Sequence, residues 1–160
     1  VQRFRNFLSA MGLDRDAEGC NALHLHTLSQ CAFMLPYAEE VCHTLARSHK
    51  LYLVTNAVAS VQRGRLAKSP IVPDITAAFI SEEAGAAKPS VAYFDYVFAR
   101  IDGITRENCL VIGDSISSDI RGANNYGLPC CWYNPRHTPR PDGLRIDYEI
   151  DDLRALCDIV

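Results

Sequence analysis

Two aspartates, Asp114 and Asp119 in Gly113-Asp114-Ser115-Ile116-Ser117-Ser118-Asp119, follow directly on the apolar run Cys109-Leu110-Val111-Ile112. Carboxylates that end a buried strand and open the next helix can turn toward one point, where they repel unless a cation is shared or one takes up a proton. Oxygen-only donors with small neighbours that leave room for water suit Mg2+ better than zinc, which prefers His and Cys. The plainer reading has Asp119 capping its own helix and Asp114 in a turn. Two further junctions carry polar residues of the same kind. Thr55-Asn56 closes the run Leu51-Tyr52-Leu53-Val54 and presents a hydroxyl and an amide at a helix N-terminus, an anion cradle or a simple cap. Lys88 precedes Pro89, a residue suited to a first helical position, and brings one cation to the third junction.

The elements that must position these groups alternate from Pro36 onward. Tyr37 to Ser48 reads as an amphipathic helix, Leu51 to Val54 as a strand, and Val58 to Lys68 as a second helix closed by Ser69-Pro70. Ala77 to Ile80 is the next strand, and the spacing of Val91, Phe94, Val97, Phe98 and Ile101 predicts a helix. Cys109 to Ile112 is the third strand, residues 117 to 126 a helix stopped by Gly127, and Cys130 to Tyr133 the fourth strand. A weak strand, Asp147 to Ile150, precedes a short helix from Asp151. Strands without polar alternation, each followed by a helix, imply a doubly wound α/β domain with a parallel sheet covered on both faces. In such sheets ligands bind beyond the carboxyl ends of the strands, where all three polar junctions fall. Residues 1–35 differ. Phe4, Phe7, Leu8 and Met11 form one apolar stripe, Leu23, Leu28 and Cys31 another, and together they read as a helical pair outside the sheet, with the core occupying 36–160.

At 160 residues, with 48% hydrophobic and 22% charged positions, the chain can bury one sizeable core and is neither disordered nor fibrous. A net charge of −3 offers no basic face for nucleic acid, and no apolar run approaches the length of a membrane span. Seven cysteines, an odd number without a C-x-x-C pair and partly inside apolar runs, read as buried free thiols, and the cytoplasm is the expected compartment. His24 and His26 lie on different helix faces, which argues against a zinc site.

Taken in order, Leu53-Val54-Thr55-Asn56, Ala87-Lys88-Pro89 and Gly113-Asp114 with Asp119 resemble motifs II, III and IV of the haloacid dehalogenase (HAD) superfamily. The resemblance runs on through Arg121-Gly122-Ala123, the Gly127 turn, Trp132-Tyr133-Asn134 and Ile150-Asp151-Asp152-Leu153, and covers residues 33 to 160. The Ser81-Glu82-Glu83 to Pro89 stretch looks most like the helically capped branch that includes pyrimidine 5′-nucleotidases. The resemblance implies a Rossmann-like core and a Mg2+-dependent phosphohydrolase acting through an aspartyl-phosphate. Thr55 and Asn56 would bind the phosphoryl group, and Lys88 would neutralise charge between nucleophile and phosphate. Asp114 would coordinate Mg2+, with Asp119 beside it. The superfamily's dehalogenases lack the leading aspartate of this segment, and Asp114 is present.

The family's nucleophile, the first aspartate of a strand ending in D-x-D-x-T, has no counterpart. Asp14-Arg15-Asp16 follows a stretch of helical apolar spacing, and Glu18 stands where the threonine belongs. The absent strand is the central one, between the strands ending at Thr55 and Asp114, and its loss leaves a gap of roughly 9 to 10 Å with unpaired backbone groups on either side. These residues are therefore expected to be the C-terminal part of a longer protein, with 1–35 the end of a helical cap, and the chain alone to be inactive. The expected substrate is a nucleoside monophosphate, with a small sugar or metabolite phosphate second; a catalytically inert binding protein of this fold is the rival reading. Phe4, Phe7, Met11 and Phe33 are expected to fill the cap's core, or else to line a base-binding lid.

Overall fold

A computed structural model describes residues 1–160, which fall into two compact units, 1–33 with 60–69 and 34–59 with 70–160.

In the first unit, α1 (Gln2–Ala10) and α2 (Ala17–Gln30) form the helical pair expected from the apolar stripes. Asp16 starts α2 by accepting the Glu18 N–H at 2.9 Å, and Arg5 pairs with Glu18 at 2.8 Å. Asp14 lies in the exposed loop between the two helices, after a helix and not after a strand. The stripes do not make a core. Leu8 is buried, whereas Phe7, Met11, Leu23 and Phe33 are 55, 61, 67 and 87% exposed, so the cap-core expectation for Phe7, Met11 and Phe33 is corrected; Phe4 is half-buried against the His24 ring. Two helices and a single further segment offer too little surface to cover two apolar faces. That segment, residues 60–69, comes within reach because Gly64 has no side chain: a Cβ there would stand 2.9 Å from the Ser29 carbonyl oxygen.

The second unit holds the parallel sheets. After α3 (Ala38–Leu45) comes β1 (Leu51–Thr55), which leads into α4 (Ala59–Leu66) and, through a 3-10 turn at Val72–Asp74, into β2 (Ile75–Ile80). Then follow α5 (Ser81–Ala84), α6 (Val91–Phe98) and β3 (Val111–Gly113), a π-helical turn at Ile116–Ile120, α7 (Arg121–Tyr126), β4 (Cys130–Tyr133), β5 (Tyr148–Ile150) and a closing 3-10 helix at Leu153–Asp158. β1 pairs in parallel with β2, Val54 opposite Phe79 and Thr55 opposite Ile80. β3 pairs with β4, and β4 with β5, also in parallel. No ladder joins β1 to β3, so the strands form two separate parallel sheets, β1-β2 and β3-β4-β5.

Of the apolar runs read as strands, β4 is covered on both faces, whereas β1 is half-buried along its length and Ile112 of β3 is exposed. On β4, Cys130 and Trp132 join one cluster with Phe79, Tyr93 and Phe94, while Cys131 joins another with Val41, Leu45 and Ile150, the alternation a two-faced sheet imposes. All seven cysteines are free thiols, and burial pushes Cys131 up to about 11. α7 ends at Gly127, whose φ of 76° is the left-handed conformation that glycine adopts without cost, and the chain turns directly into β4. No helix is long and apolar enough to cross a membrane.

Candidate active site

Four chain segments bring the polar junctions together. β1 ends at Thr55, and the Thr55 N–H donates at 3.0 Å to the hydroxyl of Tyr93 on α6. That hydroxyl in turn donates to the Phe79 carbonyl on β2 at 2.6 Å. Asn56 spends its side chain on the third junction: its Nδ2 donates to the Lys88 carbonyl and its Oδ1 accepts the Lys88 N–H, both at 2.9 Å. The amide thus grips the Lys88 peptide from both sides. The helix N-terminus after β1, read from sequence as an anion cradle, already has acceptors, since the Ala57 N–H donates to Ser81 Oγ at 3.0 Å and the Ala59 N–H to Glu82 Oε2 at 2.7 Å.

Lys88 is 9% exposed. Its ammonium donates to the Val54 carbonyl and to Asp119 Oδ1, each at 2.6 Å. An ammonium carries three hydrogens, so one remains for a further acceptor. The Lys88–Pro89 peptide is cis, and Ser90 caps α6 through the Ala92 N–H.

Asp119 is equally buried, at 7% exposure, and its second oxygen accepts the Ser115 N–H at 3.1 Å. It reaches inward because the chain after β3 widens into a π-turn: the Ser115 carbonyl accepts from both the Asp119 and the Ile120 N–H, at 2.8 and 3.2 Å. Gly113 makes room, as a Cβ there would lie 2.4 Å from the Asp119 carboxylate. One Asp119 oxygen is thus held by the Lys88 ammonium and the other by the Ser115 N–H. Asp114 is different. Its carboxylate is exposed, and its backbone carbonyl accepts the Trp132 indole N–H at 3.2 Å.

The donors available to a metal are therefore oxygens, one exposed carboxylate and one buried and already paired, a set that suits a hard cation such as Mg2+. No three His, Cys, Asp or Glu side chains converge, so these residues supply only part of such a coordination sphere. Neither the bridge made by Tyr93 nor the grip of Asn56 on Lys88 is legible in the sequence, where Tyr93 looks like an ordinary core residue and Trp132 enters only with the family resemblance. Burial raises the Tyr93 hydroxyl to about 12, aided by the nearby Asp119 charge and opposed by the Thr55 N–H.

Residues 85–156 match the HAD-hydrolase-like family. The HAD-hydrolase YfnB of Bacillus subtilis is 34% identical over 158 residues, a match spanning 99% of this chain and 67% of YfnB. The chain belongs to the HAD-like hydrolases. A crystal structure of YfnB superposes on this HAD-like chain with a TM-score of 0.93, covering 98% of this chain and 69% of that one. The pyrimidine 5′-nucleotidases PynA of Streptococcus pneumoniae and YjjG of Escherichia coli are 33 and 29% identical over 98 and 85% of the chain. The chain spans about two thirds of the relatives' length, 66% of PynA, 67% of YfnB and 60% of YjjG.

Proposed function

We propose that these residues form the phosphate-binding and metal-binding part of a Mg2+-dependent phosphomonoester hydrolase that acts on a nucleoside monophosphate through an aspartyl-phosphate. The observation that carries this reading is the Lys88 ammonium, buried between the Val54 carbonyl and Asp119 with one hydrogen left. A cation held in place by two fixed acceptors need not reorganise as negative charge develops beside it, which is how preorganised electrostatics lower a phosphoryl-transfer barrier. Thr55 would offer its hydroxyl to the phosphoryl oxygens, and Asn56 would keep Lys88 in register with it. Asp114, exposed at the end of β3, would hold the metal, and Asp119 would anchor the ammonium. Bound Mg2+ would supply charge neutralisation between an anionic substrate and an anionic nucleophile.

The nucleophilic carboxylate lies outside the residues described. β1 and β3 each lack a partner on one edge, and an apolar strand ending in D-x-D between them would pair both edges and bring a carboxylate to the level of Thr55 and Asp114. Attack by that carboxylate would form an acyl-phosphate bond and release the alcohol, and water would then hydrolyse the acyl-phosphate. The nucleotidase names of PynA and YjjG support the substrate class, and the magnesium bound in the YfnB crystal structure supports the metal.

Phosphate release by the complete enzyme, assayed on nucleoside monophosphates and sugar phosphates with and without chelator, tests the reading. Chelator-sensitive turnover with pyrimidine nucleotides preferred is expected. A preference for sugar phosphates would replace the substrate class, and no turnover on any ester would favour the inert binding protein.

A further inference from the structure

The oxygen of Tyr93 has no part in filling the core. The ring is 0% exposed and meets Phe94 edge to face at 5.7 Å, packing that a phenylalanine would reproduce. What the hydroxyl adds is a bridge between two backbone groups at the strand ends, accepting from the Thr55 N–H and donating to the Phe79 carbonyl. A buried tyrosine keeps its polar end where both hydrogen-bonding roles are used.

The bridge closes a ring. Lys88 opens the turn from which α6 grows, and Tyr93 stands in the first turns of α6, so the Lys88 loop and the Thr55 peptide are joined through one side chain. Asn56, next to Thr55, grips the Lys88 peptide from the other direction. Thr55 is thus fixed relative to Lys88 by two independent routes, one through α6 and one through Asn56. We propose that Tyr93 is a positioning residue for phosphoryl transfer, its hydroxyl fixing the Thr55 peptide so that the Thr55 hydroxyl and the Lys88 ammonium face the same phosphoryl group. This rests on the phosphatase reading given above.

The test is a double-mutant cycle in the complete enzyme, with kcat, KM and the Mg2+ midpoint measured well below the unfolding temperature. Displacing a binding group by a fraction of an ångström costs on the order of 10- to 100-fold, so Tyr93→Phe is expected to lower kcat/KM by that factor with the Mg2+ midpoint unchanged. Thr55→Ala removes the group being positioned, and adding Tyr93→Phe to it is expected to cost no more than about 2-fold further. Should Tyr93→Phe fail to fold, 4-aminophenylalanine at position 93 keeps the ring and the donor to Phe79 while weakening the acceptor for Thr55, and the same cycle is read with it. Full additivity, or lowered thermal stability with unchanged kcat/KM, in an enzyme that hydrolyses phosphate esters would overturn the role of Tyr93 alone. A complete enzyme that releases no phosphate from any ester would overturn the phosphatase reading, and this role with it.

Discussion

Burying the Lys88 ammonium costs several kcal/mol unless its hydrogens find acceptors, and Val54 and Asp119 supply two of them. The pair is therefore asymmetric toward mutation. Asp119→Asn preserves shape but leaves the ammonium without its countercharge, so a loss of about 3–5 kcal/mol is expected in thermal or urea denaturation, together with lost turnover in the complete enzyme. Asp114 is exposed, and Asp114→Ala is expected to leave stability within about 0.5 kcal/mol while abolishing Mg2+-dependent phosphate release. Unchanged activity in the second variant would remove Asp114 from the site. Thr55 ends β1 and Asp114 directly follows β3, the strand ends where residue types and spacing put them, whereas Lys88 lies eight residues past β2, between α5 and α6, and Asp119 within the π-turn. Their division of labour was hidden. That a carboxylate six positions past a strand turns inward to a lysine depends on a π-turn that no periodicity announces, and an aromatic in an apolar run does not show where its polar atom points.

Elements were legible wherever burial set their type, and their ends wherever a turn residue did. β4 spans Cys130–Tyr133 as read, because it is buried and follows the Gly127 turn. β3 begins at Val111 and not at Cys109, since β4 starts at Cys130 and Cys109 and Leu110 have no strand opposite them. α7 and the Lys88 loop meet through Gly122. A Cβ there would stand 2.9 Å from the Phe94 ring and 3.3 Å from the Pro89 Cα, so Gly122→Ala is expected to cost about 1–3 kcal/mol in urea denaturation through overpacking. α6 carries a pH dependence through Tyr93, whose hydroxyl rises from 10 to about 12 on folding. A group whose folded value is raised contributes stability that is complete below its unfolded value and lost as pH climbs through the folded one. Here that window runs from pH 10 to about 12, and two pH units correspond to about 2–3 kcal/mol. Tyr93→Phe is expected to lack this component, so the stability difference from the native chain should shrink across the window in urea titrations.

At the scale of the molecule, two features share one physical cause. Phe7, Met11, Leu23 and Phe33 lie exposed on the helical pair, and β1 and β3 each keep an unpaired edge beside the site. Both leave groups without the cover or the ladder that would satisfy them, and both invite association with other chains. The helical stripes were legible in the sequence, but their burial was not, because periodicity tells which residues share a face and not whether another element covers it. The open edges carry the stronger consequence for activity. On the proposed reading Thr55 and Lys88 bind the phosphate and Asp114 the Mg2+, while Asp14, which precedes them, sits in an exposed loop after a helix and not at a strand end. Without an attacking carboxylate, binding alone gives little rate. With saturating Mg2+, the 160-residue chain is therefore expected to release phosphate from nucleoside monophosphates at least about 10³-fold more slowly than a chain extended upstream through an apolar strand bearing D-x-D. Replacing the first aspartate of that strand by asparagine should return the extended chain to the lower rate while preserving its stability gain, which separates the missing nucleophile from the missing strand pairing. Normal turnover by the 160 residues alone would mean that the nucleophile is among them after all, and Asp14 and Asp114 would be the first carboxylates to replace.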